Sequence, residues 1–201
     1  MIKKTCKICR RLGFSVCGKE HCSLKRKPYP PGIHGKSFRR ASSEYGLQLR
    51  EKQKLRASYG LRESQFKNYV LRAIKQKSMN SVEAVFYFLE SRLDNVVFRL
   101  GFAKTRALAR QIVNHGHIMV NGKKISIPSF KTSVGDKISI RSQSGQKGVF
   151  KDLEITLKKQ EVPPWLSLDI QNKIGTVLGR PVGDDLAGIY NVKAIVEYYS
   201  R

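Results

Sequence analysis

Four cysteines near the start of the chain have the spacing of a metal site. Two residues separate Cys6 from Cys9, seven separate Cys9 from Cys17, and four separate Cys17 from Cys22. Short loops of this kind can fold over one ion and supply four thiolates at Zn–S distances of ~2.3 Å. The spacing therefore predicts one tetrahedral Zn²⁺ site. Four sulfur ligands would leave no position for a substrate, so its role would be structural.

Other chemistry of the same cysteines stays open at this point. Two disulfides, four free thiols or an iron–sulfur cluster would also use them, and His21 could replace one thiolate. Disulfides fit poorly, because no apolar signal-peptide core precedes Cys6. We therefore expect a protein of a reducing cytoplasm.

The residues around the cysteines are too basic to form a hydrophobic core. Metal coordination must then replace burial as the folding force. The cations expected to contact a polyanion in this region are Lys7, Arg10, Arg11, Lys25, Arg26 and Lys27.

The whole chain carries a large excess of positive charge. Its 201 residues include 39 Lys and Arg against 15 Asp and Glu, a net charge of +24, and residues 1–80 hold 21 basic and 4 acidic side chains. Such an excess opposes compact folding unless a partner supplies negative charge, which predicts a polyanionic partner. No stretch approaches the ~20 apolar residues that cross a bilayer, so we expect no membrane partner.

Residues 27–35 are predicted to form a stiff, extended arm. Prolines at 28, 30 and 31 fix φ, lack an N–H donor and disfavour helix in the preceding residue. A plain linker is the alternative. The residues expected to contact irregular RNA here and just beyond are Tyr29, His34, Lys36, Arg39 and Arg40.

Residues 43–57 have helical spacing but carry charge on more than one side. In this basic context the pattern indicates a helix with RNA on more than one flank, since Lys and Arg ends meet phosphates. The residues expected to contact RNA from this helix and the segment after it are Tyr45, Gln48, Arg50, Gln53, Lys54, Arg56, Arg62 and Lys67.

Three further helices show apolar stripes that predict burial. Residues 63–75 place Phe66, Val70 and Ala73 on one face. Asn80 resembles the first residue of a capping box, and Asn191 can cap a final helix over 192–199. The final helix is expected to share a core with the earlier ones.

Residues 91–140 predict two short helices, a tight hairpin and a further strand. Gly101 and Gly116 end the helices, and Thr105 can cap the second one. Asn121-Gly122 is the sequence signal of a two-residue type I′ turn. Alternating apolar residues predict one more strand over 153–157.

This frame is expected to direct cations outward on a rigid helix-plus-hairpin surface. In particular, Arg106 and Arg110 are predicted to form a ridge opposite Leu108 and Ile112, so that replacing either would weaken RNA binding without unfolding the domain. The residues expected to contact RNA are Lys104, Thr105, Arg106, Arg110, His115, His117, Asn121, Lys123, Lys124 and Lys131.

The order of motifs in residues 91–140 resembles the S-four RNA-binding domain. The resemblance depends on Arg92-Leu93-Asp94, Arg99 to Ala103, Thr105-Arg106, Ala109-Arg110-Gln111, His115-Gly116-His117 and Val120-Asn121-Gly122. Some synthetases, pseudouridine synthases and heat-shock RNA binders also carry this domain. The chain has no room for a catalytic domain beside it, and Gly35-Lys36-Ser37 lacks the glycine and strand that precede a phosphate-binding loop. We therefore expect neither enzymatic activity nor a small-molecule substrate.

The flanking segments extend the resemblance to the ribosomal protein S-four family over essentially the whole chain. They are the cysteine cluster, the Pro-Tyr-Pro-Pro-Gly arm, residues 43–54 and residues 191–201. The resemblance implies a bacterial-type cytoplasmic protein that binds small-subunit rRNA, nucleates the body of the subunit, lies near mRNA at its entry channel, and meets the subunit's fifth protein at an interface that affects accuracy. Zinc-carrying members usually have a longer loop after the second cysteine. The alternative is a stand-alone RNA chaperone or mRNA-binding regulator.

The predicted fold is α+β. We expect a basic extension with a zinc knuckle over residues 1–42, a helical domain of 43–90 with 180–201, and an S-four-type RNA-binding domain over 91–179, with two helices packed on a small sheet.

Overall fold

The computed structural model describes residues 6–18, 21–38, 41–145, 148–150, 153–158, 160–181 and 189–200. The chain forms two compact units, one of residues 1–85 with 183–201 and one of residues 86–182. The helices are α1 (Cys6–Leu12), α2 (Ser23–Arg26), α3 (Glu44–Tyr59), α4 (Glu63–Lys75), α5 (Ser81–Glu90), α6 (Leu93–Arg99), α7 (Arg106–Asn114), α8 (Leu153–Lys158) and α9 (Val192–Ser200). The strands are β1 (Ile118–Val120), β2 (Lys123–Ile125), β3 (Lys137–Ile140), β4 (Leu166–Asp169) and β5 (Ile174–Val177).

Helices α3, α4 and α9 pack together in the first unit. The Ser43 hydroxyl accepts a 3.2 Å hydrogen bond from the Gly46 N–H and so caps α3. The Asn191 side chain caps α9 in the same way, through the Ala194 N–H at 3.1 Å. Phe66 and Ile195 are fully buried, which confirms the predicted stripes of α4 and the final helix.

The second unit packs two helices on an antiparallel sheet of strand order β2-β1-β3-β5-β4. Leu93 and Val97 of α6, Ile112 of α7, Ile118 of β1 and Ile138 of β3 belong to one buried core. Fold class is thus confirmed as helices with an antiparallel sheet.

Predicted helix ends and the hairpin turn are confirmed. The Thr105 hydroxyl accepts a 3.1 Å hydrogen bond from the Leu108 N–H at the start of α7. Gly101 and Gly116 have positive φ after α6 and α7, and Asn121 and Gly122 adopt φ of 50° and 76° between β1 and β2. A type I′ turn requires positive φ at both central residues.

The predicted strand over 153–157 is wrong, because this segment is helix α8. Leu153 and Leu157 are buried while Ile155 is 61% exposed. Residues four apart share a helix face, whereas a strand would place all three side chains on one side. The hairpin of β4 and β5 was not predicted. Its turn uses Lys173 at φ 54° where a glycine would be the usual signal.

The arm predicted over 27–35 is extended only in its first part. A 3₁₀ helix spans Ile33–Lys36, because the prolines end at residue 31 and Gly32, at φ 108°, redirects the chain. The Gly35 N–H donates to the Gly32 carbonyl at 3.1 Å, and the Ser37 hydroxyl donates to the His34 carbonyl at 2.6 Å. Helix is therefore excluded at the prolines but not after them.

Close packing of β5 on α6 gives a testable consequence at Gly175. A Cβ at this position would meet the Leu100 side chain, which is fully buried. We expect Gly175→Ala to lower the free energy of unfolding by about 1–3 kcal/mol, the usual cost of overpacking a core. Urea unfolding measures it. In the matched variant Gly179→Ala the new Cβ meets no atom within 4 Å, and equal effects of the two variants would contradict the packing explanation.

Candidate nucleic-acid interface and cysteine cluster

The structure brings three of the four cysteines together. The Sγ atoms of Cys6, Cys17 and Cys22 lie within 4.8 Å of one another and could bind a metal ion. Cys9 is not in this group, although its buried thiol interacts with Cys17 and Cys22. None of the four forms a disulfide. His21 is exposed and lies outside the group as well.

The electrostatics of the cluster fit a thiolate ligand set. The backbone N–H of Leu24 lowers the pKa of Cys22 to about 7, and the backbone N–H of Ser23 lowers the pKa of Cys6. Both of these N–H groups lie in the first turn of α2, where backbone N–H groups without a partner in the helix favour negative charge. Burial raises the pKa of Cys9 to about 12. The residues thus fit a metal site formed by the sulfurs of Cys6, Cys17 and Cys22, with Cys9 as the nearby fourth sulfur.

Arg10 of α1 forms hydrogen bonds to the backbone of the proline-containing arm. Its guanidinium donates to the Tyr29 carbonyl at 2.8 Å and to the Pro30 carbonyl at 3.1 Å, and lies 4.9 Å from the centre of the Tyr29 ring. Lys36 Nζ lies 5.4 Å from the same ring. Predicted as RNA contacts, Arg10 and Tyr29 are half-buried and bound to each other.

One predicted contact on α3 is buried. Gln48 is 3% exposed, and its amide donates to Glu44 and to Glu197 of α9, each at 3.2 Å. The prediction of an outward Gln48 is wrong, because this face of α3 packs on α9. Tyr45 and Arg50 of the same helix are exposed.

Other basic residues of α3 hold helices together. Lys54 donates to the Ile189 carbonyl at 2.8 Å and lies 4.7 Å from the centre of the Phe14 ring. Arg56 pairs with Glu63 at 3.2 Å. Burial would raise the pKa of Glu63, but hydrogen bonds from Lys52 and Tyr199 outweigh it and the net pKa is lowered. Both predicted contacts, Lys54 and Arg56, therefore have internal partners.

A buried ion network joins α5, α6 and α7 in the second unit. Asp94, 2% exposed, binds Arg92 at 2.8 Å and Arg110 at 2.7 Å. Glu90, 3% exposed, binds Arg99 at 3.0 Å. Arg106 donates to the Asn95 side chain at 2.8 Å.

The ridge predicted at Arg106 and Arg110 is wrong. Both side chains turn toward acidic or amide partners and retain 19% and 16% exposure. A buried carboxylate is costly unless paired, so these arginines are needed for the packing of α7 on α6. The sequence signal for the network is the pair of acids at 90 and 94, which directly follow the apolar residues Leu89 and Leu93.

Three residues of the predicted hairpin surface also have internal roles. His117 is 9% exposed, and its Nδ1 lies 3.0 Å from the Ser144 hydroxyl, so this ring has an internal contact and its RNA contact stays a prediction. Thr105 is exposed but caps α7. Asn121 is exposed, and its side chain donates to Asp136 at 2.8 Å and accepts from the Lys137 N–H at 2.9 Å.

The remaining predicted contacts lie on the surface, apart from Gln53, which is half-buried. Arg39 and Arg40 lie outside the described residues. Lys75, Lys77 and Lys137 are exposed as well and were not predicted. The exposed predicted residues not yet placed are Lys7, Arg11, Lys25, Arg26, Lys27, His34, Lys36, Arg62, Lys67, Lys104, His115, Lys123, Lys124 and Lys131.

The fold and the surface of the second unit define a class of RNA-binding protein. Residues 91–138 match the S4 domain, and residues 1–90 match the family described as ribosomal protein S4/S9 N-terminal domain. No helix among the described residues is long and apolar enough to cross a membrane.

Curated relatives cover almost the whole chain. The chain is 48% identical over 198 residues to small ribosomal subunit protein uS4 of a Geobacillus species, covering 98% of this chain and 96% of the relative. It is 44% identical over 202 residues to the protein of that name from Syntrophomonas wolfei, covering 98% and 96%. It is 43% identical over 207 residues to the one from Thermus thermophilus, covering 100% and 98%. The chain belongs to the ribosomal protein uS4 family.

The ion network gives a prediction that separates internal from external cations. We expect Arg110→Ala to lower the free energy of unfolding by about 2 kcal/mol, because Asp94 loses one partner while buried. Urea unfolding followed by circular dichroism measures this. The matched variant Lys123→Ala removes one exposed cation and should change stability by less than about 0.5 kcal/mol. Unchanged stability of Arg110→Ala would contradict its internal role.

Proposed function

We propose that this protein is a structural constituent of the small ribosomal subunit that binds rRNA and catalyses no reaction. The observation that carries the proposal is its likeness to uS4 proteins over the full chain. The family is one of structural ribosomal proteins, and both of its characteristic regions match this chain. A net charge of +24 fits a polyanionic partner.

The exposed lysines of the second unit are proposed to bind RNA phosphates. Lys123 and Lys124 follow a rigid two-residue turn, and Lys104 precedes the cap of α7. The helix ends and the hairpin hold the backbone at these positions, so the points from which the lysine side chains extend are fixed relative to one another. A folded RNA presents phosphates at fixed separations, and a preorganised backbone loses little conformational freedom on binding it.

The finer role follows from the same family. We propose that the protein binds early in assembly and nucleates the body of the subunit, contacts the subunit's fifth protein, lies near the entering mRNA, and helps maintain accuracy in a bacterial cytoplasm. The proposed division is an extension of residues 1–42, a helical domain of 43–90 with 180–201, and an RNA-binding domain of 91–179. Arg39 and Arg40 belong to the proposed extension.

We propose that the cysteine cluster binds one structural Zn²⁺. Cys6, Cys17 and Cys22 would supply three thiolates and Cys9 the fourth. When bound, the ion would hold α1 against the start of α2 and so fix the backbone that carries the basic side chains of both helices. Small apolar neighbours such as Leu12 and Val16 make only a minor core here, which supports a folding role for coordination.

The ribosomal role predicts how the protein is recovered from cells. A tagged copy should be present in about one copy per purified small subunit and should remain after a high-salt wash, because a protein embedded in folded rRNA dissociates slowly. Quantitative mass spectrometry measures the ratio. The variant Gly179→Ala serves as a folded control. Loss of the protein in the salt wash would contradict the role and favour a stand-alone RNA chaperone or mRNA-binding regulator.

Zinc binding predicts a different response at a ligand and at its neighbour. We expect one zinc per purified chain by elemental analysis, retained in His21→Asn and lost in Cys17→Ser. Chelation should increase amide hydrogen exchange in residues 6–26 while α6 and α7 stay protected, because the two units have separate cores. Zinc retained in Cys17→Ser, or equal loss in both variants, would contradict the four-cysteine site.

A further inference from the structure

Two large apolar side chains project into solvent from the most basic part of the chain. Phe38 is 93% exposed and Ile33 is 97% exposed. Within the described residues, Tyr45 is the other exposed aromatic of this unit, and its ring already packs on Tyr198 with 5.5 Å between centroids. Phe38 makes no ring contact within the part of the chain that the structure describes.

The backbone that presents these side chains is locally ordered. Arg10 donates to the carbonyls of Tyr29 and Pro30. Gly35 is buried against the Pro30 carbonyl so closely that a Cβ there would collide with it. The Ser37 hydroxyl closes the 3₁₀ helix on the His34 carbonyl. Ile33 therefore lies within a hydrogen-bonded turn, and Phe38 follows directly after the residue that closes it.

The charges around Ile33 and Phe38 indicate the kind of partner that would bind there. Residues 21–38 contain Lys25, Arg26, Lys27 and Lys36 and no acidic residue. An acidic protein surface or a nucleic acid would satisfy the cations. Nucleic acid also offers flat base faces on which a benzyl ring can stack, as the aromatic rings of proteins that bind irregular RNA do on unpaired bases, and we therefore favour it.

We propose, on the basis of the rRNA-binding function proposed above, that Phe38 stacks on an unpaired base of the small-subunit rRNA. Ile33 packs on the same unpaired segment, and Lys36 binds a neighbouring phosphate. Base stacking tolerates any base because each has a π-face. The site therefore recognises an unstacked base and not its sequence.

The experiment compares full-length variants for binding to a small-subunit rRNA transcript. Phe38→Ala should weaken binding about tenfold, within the range that stacking usually contributes. Phe38→Leu keeps an apolar side chain without an aromatic face and should weaken binding nearly as much. Phe38→Trp should bind as tightly as the original, and its added fluorescence should be quenched by RNA. The single native tryptophan, Trp165, is 8% exposed and supplies the background signal.

Matched controls separate the failure of this inference from failure of the proposed function. Leu178→Ala removes another exposed apolar side chain, 57% exposed, and should leave binding unchanged. Circular dichroism should show every variant folded, because no core atom is removed. Unchanged affinity of Phe38→Ala, or full affinity of Phe38→Leu, overturns the stacking site while rRNA binding stands. If the unaltered chain does not prefer the rRNA transcript over a scrambled RNA, the proposed function fails and the stacking site fails with it.

Discussion

The packing of the helices depends on ion pairs between a few carboxylates and a larger number of basic side chains. Glu90 and Asp94 are almost inaccessible to solvent and bind the arginines of α6 and α7. In the other unit, Glu63 binds Lys52 and Arg56 of α3 and accepts a hydrogen bond from Tyr199 of α9. A buried carboxylate without its partner is strongly destabilising. Helix packing is thus fixed by ion pairs as well as by apolar contacts.

In the second unit, as far as residue 140, the cations differ in role by residue type. Between residues 86 and 140 the arginines are 92, 99, 106 and 110, and each binds an acidic or amide side chain. The lysines are 104, 123, 124, 131 and 137, and each is exposed. A guanidinium makes forked hydrogen bonds to a carboxylate, whereas an ammonium is a compact charge that keeps its hydration. The internal arginines build the frame, and the lysines form its outer charge, which a polyanion can neutralise.

Local signals in the sequence predicted most of the second unit. Asn121-Gly122, Gly101 and Thr105 each have one favoured backbone geometry, and the structure has it. Predictions failed where one pattern of apolar residues fits two kinds of secondary structure. Leu153, Ile155 and Leu157 fit a strand or a helix when read alone, and burial of the first and last alone decided for α8.

The sequence also could not predict the direction in which a long polar or charged side chain points. The spacing of Arg106 and Arg110 placed them opposite Ile112 correctly, yet long side chains reach back to carboxylates on a neighbouring helix. The prediction that Gln48 points outward failed for the same reason, since its partner Glu197 lies 149 residues away in the sequence. The cysteines were predictable as a cluster because their spacing is local. No pattern in the sequence predicted the exposure of Phe38, because the residues around it have the spacing of neither a helix nor a strand.

The central claim is that external lysines, fixed by internal ion pairs, match the phosphates of one folded RNA. Its most direct test is the ratio of dissociation constants for folded small-subunit rRNA and for a scrambled RNA of equal length and composition, at one salt concentration. We predict a strong preference for the folded rRNA, which falls when Asp94→Asn loosens the arginine network while net charge rises. Equal affinity for both RNAs, or a preference that survives in the Asp94→Asn variant, would contradict it.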